Sequence, residues 1–333
     1  MLRAYGWENH SIFLIESGLI NQTYRVENAG QPIAVLQRLH PVLDATVNKD
    51  IFELTTHLKS EGLVTPELVK TNSDALWQEH DGKCWRALTF IDGKTFHKVK
   101  TPEQAKSAAN LVARFHAALS KKTHNFHFRR GNAHNTEKHL QSLKDAITKT
   151  PTTQEESAAR GIAQEIFDAA DNLPSLPETD LVLAHGDLKI SNILFSEQNE
   201  AVALIDLDSL AYMPLGFELG DALRSWANPA SEDAESAEVN LDIVSATATG
   251  YRQAADSAFL GSRFATVGLG LEIICIELAA RFCTDVFTDN YFGWNPTQFA
   301  SRREHNLVRA KGQLALGLSA TEKRAAIAAL FRA

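Results

Sequence analysis

Six polar residues follow two short apolar runs in the segment from Leu181 to Asp208, LVLAHGDLKISNILFSEQNEAVALIDLD. His185, Asp187, Lys189 and Asn192 come after the run Leu181 to Ala184, while Asp206 and Asp208 come after the run Ala201 to Ile205. These residue types suit phosphoryl transfer from a nucleotide, which needs positioned magnesium, a carboxylate at the acceptor hydroxyl and cations against the phosphates. In that chemistry Asp187 orients the acceptor, while Asn192 and Asp206 offer magnesium the hard oxygens it prefers. Lys189 either touches a phosphate or is a solvated loop lysine. Any one of these at a strand end is an ordinary turn residue. The ordered set His185, Asp187, Asn192 and Asp206, each beside an apolar run, is what points to chemistry.

Such a loop needs a nucleotide-binding sheet ahead of it. Ile12 to Glu16, Thr23 to Glu27 and Pro32 to Leu39 read as a three-stranded meander broken at Gly18, Asn21 and Asn28-Ala29-Gly30. Leu68 to Thr71, Ala75 to Glu79 and Cys84 to Phe90 are further strands, the last two joined by Asp81-Gly82. Between them Val47, Ile51, Leu54 and Leu58 recur at helical spacing. Arg38 closes Val35-Leu36-Gln37-Arg38, where a phosphate-facing lysine would end the strand, and its acidic partner is Asp50 or Glu53 on the helix. Arginine can pair phosphate bidentately. The loop Ser17 to Thr23, with Gly18 and Asn21, is expected over the nucleotide. Its single glycine does not fit G-x-G-x-x-G, which argues against a eukaryotic-type protein kinase.

Beyond Thr89-Phe90-Ile91-Asp92-Gly93 the pattern turns helical. Thr101-Pro102-Glu103-Gln104 opens a helix through Leu119, and Thr153 with Glu156 and Ser319 with Glu322 repeat the capping box. Long helices are expected from Phe264 to about Val286 and from Thr297 to Leu316. Glu277 and Arg281, four apart on the first of these, are expected to pair. Tyr291, Phe292 and Trp294 among Asp289, Asn290 and Asn295 suit a sugar, with its apolar faces and hydroxyls, or else anchor a lid.

The chain has 333 residues, 44% hydrophobic and 22% charged, enough for a sizeable core. A formal charge of −8 lacks the basic footprint of a general nucleic-acid binder. No charged lead into an apolar run stands near Met1, so no secretory signal is expected. Phe264 to Ala280, with Glu272 and Glu277, is too short and too charged for a membrane span. Cys84, Cys275 and Cys283 fit reduced packing thiols in a cytoplasmic protein. His116, His124, His127, His134 and His139 match no compact zinc spacing, and read as a surface-rich helix and loop.

The H-G-D-x4-N pattern followed by I-D-x-D resembles the aminoglycoside phosphotransferase and choline kinase superfamily. The blocks GLINQTYRV, VLQRLHP, LTTHL, WRALTFIDG, HGDLKISNILF, LIDLDSL, LGDALRSW, ELAARFCTDVFTDNYF and HNLVRAKGQ, from Gly18 to Leu316, look most like its N-acetylhexosamine 1-kinases. One departure is Gly186, where that branch usually carries a polar residue. The resemblance implies an α+β, bilobal protein-kinase-like fold, with a small β-rich lobe over residues 1–91 and a larger, mainly helical lobe over 92–333. It implies ATP and Mg2+ between the lobes, with Thr89, Phe90 and Ile91 beside the adenine and Asp187 at the anomeric hydroxyl of an amino sugar. Asp206 would bind metal, Asp208 metal or sugar, and Arg281, Asp285 and Tyr291 would meet the sugar. Other readings are a kinase of homoserine, an aminoglycoside or a choline-like alcohol, the last caged by Trp226 and Trp294, and a non-catalytic nucleotide-binding regulator. The oligomeric state leaves no signature in the sequence.

Overall fold

The computed structural model describes residues 1–15, 21–128, 134–230 and 232–332. Strands β1 (Ser11–Ile15), β2 (Gln22–Asn28) and β3 (Gln31–Arg38) form the antiparallel meander. Ala29 and Gly30, at φ 49° and 79°, supply the left-handed pair that a two-residue hairpin turn requires. Helix α1 (Val47–Ser60) follows, then β4 (Leu68–Val69), β5 (Gln78–His80) and β6 (Lys83–Thr89). The sheet order is β1-β2-β3-β6-β4, with β5 also on β6. On one face Val26, Ala34, Leu36 and Ala87 are buried with Tyr5 from the N-terminal turn. Strand alternation therefore sends Val35, Gln37 and Arg86 to the other face.

The remainder is mostly helical: α2 (Pro102–Leu119), α3 (Thr136–Ala146) and α4 (Gln154–Asp171) precede two small hairpin-like pairs. These are β7 (Leu181–Ala184) with β10 (Ala211–Pro214), and β8 (Ile193–Phe195) with β9 (Ala201–Leu204). Helices α5 (Leu215–Trp226), α6 (Leu241–Ala254), α7 (Ser257–Phe264), α8 (Val267–Thr288), α9 (Arg302–Glu322) and α10 (Arg324–Arg332) complete the α+β chain. Thr101 and Thr153 cap α2 and α4, their side chains accepting the Gln104 and Glu156 N–H groups. Ser319 does not begin a helix. It lies within α9, its hydroxyl accepting the Val239 N–H, because α9 starts later than expected and runs further. The operative box there is Ser301 with Glu304: Ser301 Oγ accepts Glu304 N–H and Glu304 accepts Ala300 N–H.

Helix α8 is the axis of the helical part and packs against α3, α4, α5, α9 and α10. The apolar run Phe259–Thr288 is longer than expected and meets the length and composition of a membrane span. Here 61% of its apolar window is buried inside the protein, and buried Glu272 on α8 is held by Arg324 and Thr321. Helix α1 belongs to the same apolar cluster as α2: Val47, Ile51, Leu54 and Leu58 are buried with Ala108, Leu111 and Phe115. The apolar core thus crosses residue 91.

Candidate active site

The loop from His185 to Asn192 connects β7 to β8, and α5 braces it from beneath. Glu218, fully buried, accepts the backbone N–H of His185 at 2.8 Å and of Gly186 at 3.0 Å. Ser225 Oγ accepts Ile190 N–H, and Trp226 Nε1–H donates to the Leu188 carbonyl at 2.8 Å. His185 Nε2 faces the Ile205 carbonyl at 2.9 Å, so that nitrogen carries the proton, and Nδ1 accepts Asp187 N–H at 3.3 Å. Gly186 has φ 80°, and a Cβ there would stand 2.2 Å from the Ser209 carbonyl oxygen. The geometry therefore demands glycine at this position.

Asp187 and Lys189 meet at 2.8 Å, and Asn192 Nδ2–H donates to the Asp187 carbonyl at 2.9 Å. Burial works against charge on Asp187, but the Lys189 ammonium and its hydrogen bond prevail, with help from Arg224, and hold its pKa below the ordinary carboxylate value. Burial likewise opposes charge on Lys189, and Asp187 and Asp206 outweigh it, raising its pKa. Asp206 follows β9 in the left-handed conformation, φ 65°. Burial pushes its pKa up, and the charges of Asp208 and Asp187 add to that effect. A half-buried carboxylate crowded by two others is a ready ligand for a divalent cation.

The structure separates Arg38 from the buried cation of the sheet. Arg38 ends β3 on the Ala34 and Leu36 side, paired in register with Trp85, and not on the side of Gln37. The buried cation is Arg86 of β6, which sequence reasoning missed. Its guanidinium forks onto Asp208, Nη1 to Oδ1 at 2.6 Å and Nη2 to Oδ2 at 2.9 Å, while Nε donates to Gln37 at 2.9 Å. Asn21 donates to Asp208 Oδ2 at 2.6 Å and accepts His40 N–H at 3.0 Å. Asp208, expected at metal or sugar, is thus committed to a protein arginine and an amide. The signal for Arg86 was an arginine among apolar residues in a strand, where a buried charge must find a partner.

Neither Asp50 nor Glu53 serves as the acidic partner. The Asp50 carboxylate accepts from His124, His127 and the Phe128 N–H, and exposed Glu53 faces His124. From α1 it is Asn48 that reaches Arg86, at 3.4 Å. Thr89 ends β6, with its N–H donating to the Glu67 carbonyl, and Phe90 and Ile91 follow where the chain leaves the sheet. Gly18 lies outside the described residues.

The late block is partly reassigned. Asp285 is buried, and its oxygens accept Thr288 Oγ1–H, the N–H groups of Asn290, Tyr291 and Phe292, and Asn306 Nδ2–H. It knots the loop after α8, so it has little left to offer a sugar. Glu277 pairs with Thr136 and, at 3.4 Å, with His134 and not with Arg281. Arg281 lies over the rings of Tyr291 and Phe292, at 5.9 and 5.6 Å, and Tyr291 is 58% exposed. Trp226 is buried under the loop and cannot cage a cationic alcohol. His116 and His124 are also buried and not at the surface: His116 bridges Tyr251 and Glu218, at 2.7 and 3.2 Å.

A loop carrying a partnered aspartate, an amide and a second carboxylate, set against an antiparallel sheet, defines a phosphotransferase of kinase-like fold. The profile of the phosphotransferase enzyme family, APH, matches residues 11–256, and the chain belongs to that family. A microcompartment-associated aminopropanol kinase is similar in structure, with a TM-score of 0.68 at 14% identity, covering 98% of this chain and 96% of that one. So are an amicoumacin kinase in complex with AMP-PNP, Ca2+ and Ami (0.63, 13%, 94% and 90%) and a choline kinase from Cryptosporidium parvum (0.62, 15%, 98% and 95%). At such identities the likeness is one of fold.

Proposed function

We propose that this chain is an ATP- and Mg2+-dependent kinase of a small, uncharged hydroxyl acceptor, with the anomeric hydroxyl of an N-acetylhexosamine as its preferred target. Asp206 and Asn192 would hold Mg2+, which when bound offsets phosphate charge. Asp187 orients the acceptor hydroxyl and takes its proton late, since a carboxylate of lowered pKa is a weak base in the ground state. Lys189 fixes Asp187 through their 2.8 Å contact.

The observation that supports an uncharged acceptor is that, apart from the proposed metal ligand Asp206, the acidic side chains of the helical part named here already hold cations. Asp221 and Glu232 hold Arg224, at 2.8 and 3.3 Å, Glu277 holds His134, and Asp233 holds His305 and Arg309. A polycationic aminoglycoside would have to displace such pairs. Tyr291 and Arg281 supply the ring-and-donor surface that suits a sugar. The second reading, an amino-alcohol acceptor, is favoured by the names of the aminopropanol and choline kinases of like fold.

ADP release by the purified protein, screened against N-acetylhexosamines, aminopropanol, choline, homoserine and aminoglycosides, tests this. Phosphate position is then assigned by NMR. A sugar 1-phosphate is expected; a 6-phosphate overturns the anomeric assignment, and preference for a cationic acceptor overturns the uncharged pocket. No ADP with any acceptor would leave a nucleotide-binding regulator.

A further inference from the structure

Away from the Asp187 loop, four titratable side chains from two segments converge at the start of α1. Asp50 and Glu53 lie one turn apart on α1, and His124 and His127 come from the loop after α2. Asp50 Oδ1 stands 2.8 Å from His124 Nε2 and 3.0 Å from His127 Nδ1. One ligand atom from each of these three lies within 4.8 Å of the others. The side chains of Asp50 and His124 are 2% and 1% exposed, and that of His127 is 37% exposed. Glu53 Oε2 is 3.4 Å from His124 Nδ1.

We propose that Asp50 Oδ1, His124 Nε2 and His127 Nδ1 bind a divalent transition-metal ion of the zinc class, with Glu53 orienting His124. Two imidazole nitrogens and one carboxylate oxygen are the donor set of a tetrahedral zinc site with one open position. Bonds of about 2.1 Å place tetrahedral ligand atoms about 3.4 Å apart, so the two observed separations need open by only ~0.5 Å. The carboxylate is held independently of the imidazoles, because the N–H groups of His127 and Phe128 each donate to it at 2.9 Å. Glu53 at His124 Nδ1 completes a carboxylate–histidine–metal arrangement, which fixes the tautomer that frees Nε2 for the ion. Exposed His127 provides the entry and leaves the fourth position to solvent. Imidazole donors disfavour magnesium, so this ion is distinct from the one at the nucleotide. Asn48, on the same first turn of α1, contacts Arg86, so a bound ion would tie the loop after α2 to the base of the Arg86–Asp208 fork.

The full chain, stripped with chelator and kept in excess Mg2+, would be titrated with zinc by calorimetry while its melting temperature is followed. One zinc per chain and a raised melting temperature are expected. H127A, altered at the exposed ligand, should bind about 100-fold more weakly, E53Q about 10- to 100-fold more weakly, and D206N as the wild type does. Cobalt uptake should give tetrahedral visible absorption in the wild type and lose it in H127A. No zinc uptake by the wild type, undiminished uptake by H127A, or loss of uptake in D206N would each overturn the site.

Discussion

Asp187 and Asp206 differ in electrostatic situation although both act on Lys189. Lys189 holds Asp187 ionised, and Asp187→Asn should lower turnover by about 10²- to 10⁴-fold while leaving nucleotide affinity nearly intact. Steady-state kinetics beside a binding titration checks this, and normal turnover would remove Asp187 from the acceptor. Asp206 has its pKa raised by burial and by Asp208, so the ionised form opposes folding. That cost is fully present above its folded pKa and vanishes as pH falls below the ordinary carboxylate value. In chelator-treated protein Asp206→Asn should therefore raise the melting temperature at neutral pH, with the gain shrinking in acid. The same variant should lose magnesium-dependent nucleotide binding, a trade of function for stability. Burial likewise raises the pKa of the three thiols, each to about 12, which keeps Cys84, Cys275 and Cys283 as inert packing groups at neutral pH.

The element that governs the loop is α5, and its distance from α8 is set by glycines. A Cβ on Gly270 of α8 would stand 1.9 Å from the Gly216 carbonyl oxygen, and one on Gly220 would meet the Gly270 carbonyl carbon at 2.5 Å. Nothing flexible can yield there, because the obstacle is backbone. Gly270→Ala should force α5 and α8 apart at a cost of about 1–3 kcal/mol or more and shift Glu218 from beneath His185 and Gly186. Thermal denaturation with kinetics measures both effects; a variant with unchanged stability and turnover would show that the crossing can relax. The glycines and the LGDALRSW block were visible in the sequence, but that Glu218 points at the loop follows only from how α5 crosses α8.

At the scale of the molecule, α1 and Leu68 of β4 share an apolar core with the helices, beside the separate cluster on the sheet's other face. With α1 buried against α2 and the Arg86–Asp208 fork joining β6 to the turn after β9, neither part has a closed surface of its own. Calorimetry should therefore show one transition, with calorimetric and van't Hoff enthalpies in agreement. Residues 1–91 expressed alone should remain unfolded by circular dichroism. Two separate transitions, or a folded fragment, would mean that the chain divides near residue 91.

The sequence by itself determined the local parts: the meander strands and the turn at Ala29-Gly30, the caps of α2 and α4, and the loop from His185 to Asn192 with Asp206 after a later strand. These are legible because their information is contiguous, carried by spacing, glycine and proline. Tertiary structure decided who partners whom. Arg38 and Gln37 are neighbours in sequence but lie on opposite faces of β3, because side chains in a strand alternate and a one-residue error inverts the face. The cation that does meet Asp208 is 122 residues away in the chain, and Asp285, equally suited by type to a ligand, is consumed by the loop it ties. Which buried charge finds which partner depends on packing across the sheet and the helices, and no spacing along one strand records it.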